Sequence, residues 1–296
     1  MRRVVMFVVW CALCATVASA QPAGETKEEF EAKLGYQTGT VTVGDGLATI
    51  TLPAPFRFLG PDGSRRLLTE GWGNPSGSAD DVLGMLVPAA ASPLSDEGWG
   101  VVISFDEDGY VNDDDAGSID YAKMLTEMQA STREANESRQ AEGFEPVTLV
   151  GWAEPPHYDK AAHKLYWAKE LAFGDSSEHT LNYNIRILGR RGVLVLNAVS
   201  GMGQLATIRT ESQALLPAVE FNDGHRYTDY LPGTDKAATY GLVGLIAGAG
   251  AAKAGVFKAL WIGLLASKKL LAGLVIGGIA AAKKFFGRSS DAPAAS

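Results

Sequence analysis

Six carboxylates and one amide fall within ten residues, from Asp106 to Asp115, after an apolar run. Hard oxygen ligands at this density, with Gly109 to turn the chain, are typical of calcium-binding loops. An EF-hand loop would need an oxygen ligand at Tyr110 and glycine at Val111, so the match is partial. The other interpretation is an exposed acidic loop that caps the following helix. The candidate ligands are Asp106, Asp108, Asn112, Asp113 and Asp115.

A second polar group lies in the segment from Glu154 to His163. Two carboxylates and two imidazoles this close can bind Zn²⁺ or act as general acid and base. The spacing matches no zinc motif, and Pro155-Pro156 prevents a helix that would bring them to one face. The other interpretation is a rigid loop between two strands with a polar rim. The candidate catalytic residues are Glu154, His157, Asp159 and His163.

Cations and aromatic residues alternate along the later strand-like segments. Side chains of these types can line a groove for an anion or a glycan. They also fit ion pairs on an outer face and aromatic residues in a core. The candidate ligand-binding residues are Trp152, Trp167, Lys169 and Arg186.

Common catalytic motifs are missing from the sequence. There is no serine in a G-x-S-x-G elbow, no G-x-G-x-x-G and no phosphate loop. The two cysteines, Cys11 and Cys14, both lie in the N-terminal segment described below, so the mature chain has neither a disulfide nor a thiol nucleophile. Ordinary hydrolase and nucleotide chemistry therefore lose support.

Between the two ends of the chain, short β-rich segments separated by turn residues predict a series of β-strands. Helices are predicted at 64–70, 119–141 and 204–217. Strands joined by short turns pair antiparallel, so we expect an α+β domain: a meandering antiparallel sheet with packed helices. The predicted strands are 39–43, 47–52, 84–88, 100–105, 147–152, 164–173, 180–188, 193–199 and 218–221.

The N-terminus has the three parts of a secretory signal: Arg2 and Arg3, an apolar stretch, and the small residues Ala18-Ser19-Ala20. We expect cleavage before Gln21, and therefore an exported body.

Charge divides the mature chain into two parts. Residues 241–296 hold seven basic residues and one acidic residue, a formal charge of +6, whereas residues 21–240 hold 17 basic and 33 acidic residues, a charge of −16. An acidic body argues against nucleic acid as a partner, and a basic tail favours anionic lipid.

The segment after Tyr240 is apolar, rich in glycine and alanine, and interrupted by lysines. We expect a helical membrane anchor with a span near 241–257, followed by residues on the cytoplasmic face. An amphipathic hairpin that never crosses is the alternative. Gly244 and Gly248 also permit helix contacts between copies, hence a homo-oligomer. The anchor residues are Tyr240, Gly244, Gly248, Lys253, Lys258, Lys268, Lys269, Lys283 and Lys284.

Five segments carry a family resemblance: GTVTVGDGLATI (39–50), GWAEPPHYD (151–159), HKLYWAKE (163–170), LNYNIR (181–186) and GRRGVLVLN (189–197). Together they resemble the bacterial family of uncharacterized membrane-anchored proteins, domain of unknown function 2167. The resemblance implies export and C-terminal membrane anchoring, with no known activity. The order of elements is also similar to that of Mog1/PsbP-like sandwiches.

These observations predict the organisation of the whole chain: a signal peptide (1–20), a polar lead-in (21–38), an exported α+β domain (39–232), a membrane-associated helical tail (233–288) and a disordered end (289–296). Every element assigned to the core precedes Tyr240, so we expect a chain cut there to fold. The predicted function is that of a non-enzymatic sensor, adaptor or scaffold on the periplasmic side of the cytoplasmic membrane, with membrane lipid and envelope proteins as partners and no required cofactor. The alternatives are a metal-dependent enzyme that uses Glu154–His163 and a module at Asp106–Asp115 that binds calcium or another small ligand.

Signal cleavage gives the first testable prediction. N-terminal sequencing of the protein from the membrane fraction should begin at Gln21. A chain that still begins at Met1 would contradict the cleaved form of the export argument.

Overall fold

The computed structural model describes residues 25–74, 76–95, 98–141 and 143–248. The predicted signal peptide, the start of the lead-in and the tail beyond Gly248 lie outside these ranges. Among the described helices, none is both long enough and apolar enough to span a membrane.

The described chain alternates between strands and short helices, with one long helix in the middle. The strands are β1 (Thr40–Val43), β2 (Ala48–Thr51), β3 (Phe56–Leu59), β4 (Val82–Pro88), β5 (Val101–Asp106), β6 (Tyr110–Asn112), β7 (Val147–Asp159), β8 (Lys164–Phe173), β9 (Thr180–Leu188), β10 (Val193–Gly201), β11 (Val219–Phe221) and β12 (Ala237–Gly241). The α-helices are α1 (Lys27–Ala32), α2 (Pro61–Arg66), α3 (Tyr121–Ala141), α4 (Leu205–Leu215) and α5 (Leu242–Ala247).

Seven strands form the central sheet in the order β3-β4-β5-β10-β9-β8-β7, and every neighbouring pair is antiparallel. Two meanders, β3-β4-β5 and β7-β8-β9-β10, meet where β5 pairs with β10. The continuous apolar run of β5 is explained by this position, because a central strand is covered on both faces.

The two faces of the central sheet are covered differently. One face packs against α4 and a small antiparallel sheet, β1-β2-β11, with Ile185, Leu196 and Ile208 in a continuous apolar core. On the other face α3 and α5 cover one end, whereas α1, α2 and the π turn at Leu67–Gly71 cover the other. The protein is thus an α+β sandwich.

The structure confirms the main sequence predictions. The first hairpin pairs as expected, and its turn holds Gly44, Asp45 and Gly46 at positive φ. Helix α3 and strands β8 to β10 lie close to their predicted positions, and β9 alternates between the two faces. Strand β3, which is only four residues long, was missed.

The predicted rigid loop at Glu154–Asp159 is wrong, because β7 runs through it to Asp159. Pro155 and Pro156 are tolerated because β7 is an edge strand, and its register with β8 shifts between Glu154 and His157. The turn comes later, at Lys160–His163.

The packed body also continues past the boundary predicted at residue 232. Strand β12 pairs in parallel with β6, inside the acidic segment that was expected to be a loop. Residues Leu242, Leu245 and Ile246 of α5 are then buried beside α3. The expectation that no core residue follows Tyr240 is therefore wrong. We call residues 237–247 the stem, because they lead into the apolar tail.

The stem predicts the effect of truncation. Burying a Leu or Ile side chain contributes about 1.5–3 kcal/mol, so removing three should cost much of a stability that is typically about 5–15 kcal/mol. A chain that ends at Tyr240 should unfold at a much lower temperature than one that ends at Gly248, as measured by circular dichroism. Equal melting temperatures would show that the stem is dispensable.

Candidate functional site

The acidic segment binds the stem through two carboxylates. Asp108 Oδ2 accepts a hydrogen bond of 2.5 Å from the hydroxyl of Tyr240. The two oxygens of Asp115 accept from the backbone N–H groups of Leu242 (3.1 Å) and Val243 (3.0 Å), at the N-terminus of α5. A carboxylate there satisfies free N–H groups and complements the helix dipole. Burial and the bond to Asp108 raise the pKa of Tyr240, so it remains a donor.

Two glycines allow this close approach. Gly109 has φ +106°, and a Cβ added there would lie 2.7 Å from the carbonyl oxygen of Lys236. A Cβ on Gly241 would lie 2.7 Å from Oδ2 of Asp115. Gly109 therefore allows the close contact with the stem. The sequence had suggested a different role for it, as the turn in a calcium-binding loop.

The remaining candidate calcium ligands have other partners. Asn112 Oδ1 accepts from the N–H of Asp114 at 2.7 Å. Asp113 is buried and accepts from the hydroxyl of Tyr158 at 2.7 Å. Asp106 ends β5, and its pKa is raised chiefly by desolvation. In the part of the chain that is described, no group of three or more His, Cys, Asp or Glu residues is arranged to hold a metal ion.

The sequence predicted that Asp113–Asp115 cap the helix that follows them, α3, but the structure shows a different arrangement. Asp120 caps the following helix α3, because its Oδ1 accepts from the N–H groups of Ala122 (3.0 Å) and Lys123 (2.9 Å). Asp115 instead caps α5, which lies far away in sequence. Sequence proximity favoured the nearer helix, and only the tertiary fold brings α5 within reach.

The four candidate catalytic residues are not brought together as one site. Glu154 forms an ion pair of 3.0 Å with Arg209 on α4, and the ring of His157 lies 5.1 Å from that of Tyr166. Asp159 Oδ1 accepts from two N–H groups in the turn before β8. His157 and Asp159 line one cavity of about 340 Å³ together with Lys164, whereas the ring of His163 lies beside Tyr158 and Asp113.

His163 sits at φ +52°, which is uncommon for a residue with a Cβ. Its ring stacks on Tyr227 at 4.1 Å, and Nδ1 lies 3.3 Å from the hydroxyl of Tyr158. Because Tyr158 donates its proton to Asp113, its oxygen can accept from an Nδ1–H group on His163. Burial lowers the pKa of His163. His163 also lines a cavity of about 260 Å³ beside Glu220.

All four candidate ligand-binding residues lie on one face of the central sheet. In register, Lys169 lies opposite Asn182, and Trp167 opposite Asn184, which faces Asn197. Arg186 lies on the same face of β9 because side chains alternate. Trp152 on β7 lies opposite Lys169 in register, and its Nε1 donates to the carbonyl of Tyr121 at 3.2 Å. We use the name polar strip for the residues of β8, β9 and β10 on this face: Trp167, Lys169, Asn182, Asn184, Arg186 and Asn197.

Amide side chains hold the guanidinium of Arg186 in the polar strip. Its Nη1 donates to Asn197 Oδ1 at 3.0 Å and its Nη2 to Asn184 Oδ1 at 3.3 Å. Its Cζ lies 5.1 Å from the ring centroid of Trp167. Within the described ranges no carboxylate lies within 4.0 Å of it. The three asparagines were missed, although the alternation along β9 places two of them beside Arg186.

Burial of the polar strip weakens its positive charges. Lys169 is 6% exposed, and desolvation, followed by the charge of Arg186, lowers its pKa to about 7. Desolvation also lowers the pKa of Arg186 to about 10, against the opposing effect of Asp106. Trp167 is 1% exposed, and its Nε1 has no hydrogen-bond partner among the described residues. A buried donor without an acceptor is costly and marks a place where a ligand atom would be stabilised.

The three anchor residues that are described all belong to the stem and its end. Tyr240 is bound to Asp108, and Gly244 lies within α5. Gly248 ends that helix at φ +89°, with its N–H donating to the carbonyl of Gly244. The lysines from Lys253 to Lys284 lie outside the described residues.

The chain belongs to the family described as Protein of unknown function (DUF2167), whose model matches residues 35–280. The resemblance noted in the sequence is thereby confirmed as membership of this family. A comparison with curated proteins finds no match.

Three solved structures are similar to the chain at low TM-scores. The PsbP protein of Synechocystis sp. PCC 6803 (CyanoP) has a TM-score of 0.34 and 10% sequence identity, and the match covers 71% of this chain and 99% of that one. The Ran-binding protein Mog1p of Saccharomyces cerevisiae has a TM-score of 0.33 and 8% identity, and the match covers 62% of this chain and 95% of that one. LpqN of Mycobacterium tuberculosis, which is described as involved in cell envelope biogenesis, has a TM-score of 0.30 and 13% identity, with 66% of this chain and 96% of that one covered. The α+β class rests on the strands and helices of the chain itself.

The buried lysine predicts a dependence of stability on pH. The pKa of Lys169 is about 7 in the folded protein and about 10.4 when unfolded. Between these values the unfolded state binds more protons, so stability rises with pH, by about 1 kcal/mol from pH 7.5 to 8.5. Lys169→Met should be more stable than wild type at pH 7 and should lose that rise, as measured by urea unfolding.

The matched control for this experiment is Lys160→Met, because the Lys160 side chain is 69% exposed. It should keep the wild-type dependence on pH. An unchanged slope in Lys169→Met would show that Lys169 is not the group responsible.

Proposed function

We propose that the protein is an exported, membrane-attached envelope protein of bacteria whose body acts by binding, as a sensor, adaptor or scaffold. The observation that carries this proposal is the docked stem. Residues 237–247 pair with β6, are capped by Asp115 and bury three apolar side chains in the body. The apolar, basic tail begins directly after them.

The docked stem ties the chain to the body up to Gly248, the last described residue before the tail. Strand β12 continues directly into α5 at Gly241, without a linker between these two elements. Movement of the tail is then coupled to the acidic segment through Asp108 and Asp115. Such coupling suits a sensor or adaptor, which must pass a change from one end to the other.

The charge distribution supports attachment to the inner membrane with the body outside. The tail carries +6, so its lysines suit anionic headgroups and the cytoplasmic side. The signal sequence supports export of the body. Because α5 packs into the protein, we place the membrane segment after Gly248 rather than at the expected Gly241.

Binding is favoured over catalysis by what the candidate side chains contact. Glu154 and Asp159 are engaged in structural contacts, whereas the polar strip contains a buried donor without a partner. A metal-dependent reaction would require Glu154, His157, Asp159 and His163 to rearrange. A calcium site would compete with the stem for Asp108 and Asp115.

Topology tests this proposal. We place an epitope after Ser296 and add protease to spheroplasts. The body should be digested while the epitope is spared, because the tail crosses the membrane. The epitope should be lost only after the cells are lysed.

The contrary result is loss of the epitope together with the body in intact spheroplasts. The tail would then lie on the outer surface as an amphipathic hairpin, and the crossing anchor would be refuted.

A further inference from the structure

One end of the central sheet holds a cavity that is lined by charged side chains of both signs. The cavity has a volume of about 260 Å³. It lies where the start of β8 and the end of β9 meet β11 and the residues that follow β11. Its charged and aromatic lining residues include His163, Lys164, Glu220, Arg226 and Tyr227. Two cations and one carboxylate thus share one small space.

The charges of Lys164 and Glu220 are not paired with each other. In the part of the chain whose structure is described, no carboxylate lies within 4.0 Å of the Lys164 ammonium and no cation lies within 4.0 Å of the Glu220 carboxylate. Arg226 is paired instead with Asp223, at 2.6 Å. Lys164 and Glu220 therefore line the same cavity as separate opposite charges.

Lys164 is buried, and neutral oxygens hold its ammonium. Its Nζ donates to the backbone carbonyls of Leu216 and Val219. These two bonds leave one of the three N–H groups of the ammonium for a further acceptor. Desolvation lowers the pKa of Lys164, and the charge of Glu220 opposes this effect. Because a buried charge is costly without a counter-ion, a carboxylate in the cavity would stabilise this ammonium.

Two acceptors for a positively charged group line the same cavity. The first is the carboxylate of Glu220, which is exposed on β11. The second is His163, because its Nδ1–H is bonded to the hydroxyl of Tyr158 and its Nε2 then keeps a lone pair. Burial lowers the pKa of His163, which favours this neutral form. The cavity thus offers a donor for a carboxylate and acceptors for an ammonium.

We propose that this cavity binds a small zwitterion, a free α-amino acid, with its carboxylate at Lys164 and its ammonium at Glu220 and His163. A cavity of about 260 Å³ lies below the range of about 300–1,000 Å³ that is usual for drug-sized ligands, which favours a single amino acid over a peptide. The inference rests on the proposed function, because it names what a sensor or adaptor of this kind binds.

Direct contacts connect this cavity to the segment that holds the stem. His163 reaches Asp113, a residue of the acidic segment, through the hydroxyl of Tyr158. The ring of Tyr227, which lines the cavity, stacks on that of Tyr110 at 4.4 Å, and Tyr110 belongs to β6, the strand that pairs with β12. A ligand in the cavity therefore contacts residues that are linked to the stem by hydrogen bonding and by packing.

The experiment uses the full chain purified in detergent, with glycine, L-alanine and L-serine as probes. Acetate and methylammonium are the matched control ligands, because each carries only one of the two charges. Isothermal titration calorimetry at pH 7 should detect binding of at least one amino acid to the wild-type protein. That binding should be at least tenfold tighter than the binding of either control ligand, since each control loses the charged hydrogen bonds at one end.

Glu220→Gln should weaken the binding of the amino acid at least tenfold, because a neutral amide does not compensate the ammonium. Lys164→Gln should weaken it to a similar extent from the carboxylate end. The matched control is Glu134→Gln, since Glu134 is exposed on α3, outside the lining of the cavity. It should change the affinity less than twofold.

Thermal unfolding of each variant checks that it is folded. Glu220→Gln removes no ion pair among the described residues, so it should fold, and it decides the test if Lys164→Gln does not fold.

Binding of an amino acid that is weakened in Glu220→Gln and kept in Glu134→Gln supports the site. Four results would overturn it: no binding of any of the three amino acids at about 10 mM, a concentration well above typical ligand Kd values; acetate binding as tightly as the amino acids; equal affinity in wild type and Glu220→Gln; or equal weakening in Glu134→Gln. These results concern the cavity alone, whereas loss of the C-terminal epitope in intact spheroplasts refutes only the crossing anchor.

Discussion

The carboxylate of Asp115 links the two ends of the described fold. It accepts the first N–H groups of α5, although 127 residues separate it from Leu242. Because α5 is only six residues long, it depends on this cap and on the burial of Leu242, Leu245 and Ile246. The stem, the acidic segment and the core below α3 therefore form one cooperative unit, and the apolar tail starts from that unit.

The central sheet combines this packing with an unusual polar interior. Its face toward α4 is continuous and apolar, as expected for a sandwich core. Its other face is interrupted by the polar strip, between apolar clusters at the two edges of the sheet. Buried asparagines and a buried lysine reduce stability, and proteins retain such groups mostly where they provide binding or specificity.

Much of this architecture could be predicted from local patterns. The β1–β2 turn, the helical period of α3 and the alternation along β9 all depend on nearby residues. The failures share a different cause. Pro155 and Pro156 argued against a strand, and only the edge position of β7 makes them acceptable. The short strands β6 and β12 are stabilised by parallel pairing with each other, which no local pattern encodes.

The candidate sites also divide into features that follow from local sequence and features that depend on distant segments. Trp167, Lys169 and Arg186 were selected by residue type, and their shared face follows from strand register. Trp152 was selected in the same way, and the register of β7 with β8 places it opposite Lys169. The acidic residues between Asp106 and Asp115 were predicted to be metal ligands because they lie close together in the sequence. Their actual partners, a tyrosine hydroxyl and two backbone amides of the stem, come from a distant segment.

We infer that the stem is an integral part of the body in the attached protein. Amide hydrogen exchange of the membrane-bound full chain measures this directly at Leu242 to Ile246. We expect protection comparable to that of β9 and β10, and faster exchange at Leu242 and Val243 in Asp115→Ala, since their acceptor is removed. Exchange of these amides at the rate of an unstructured linker in the wild-type protein would contradict it.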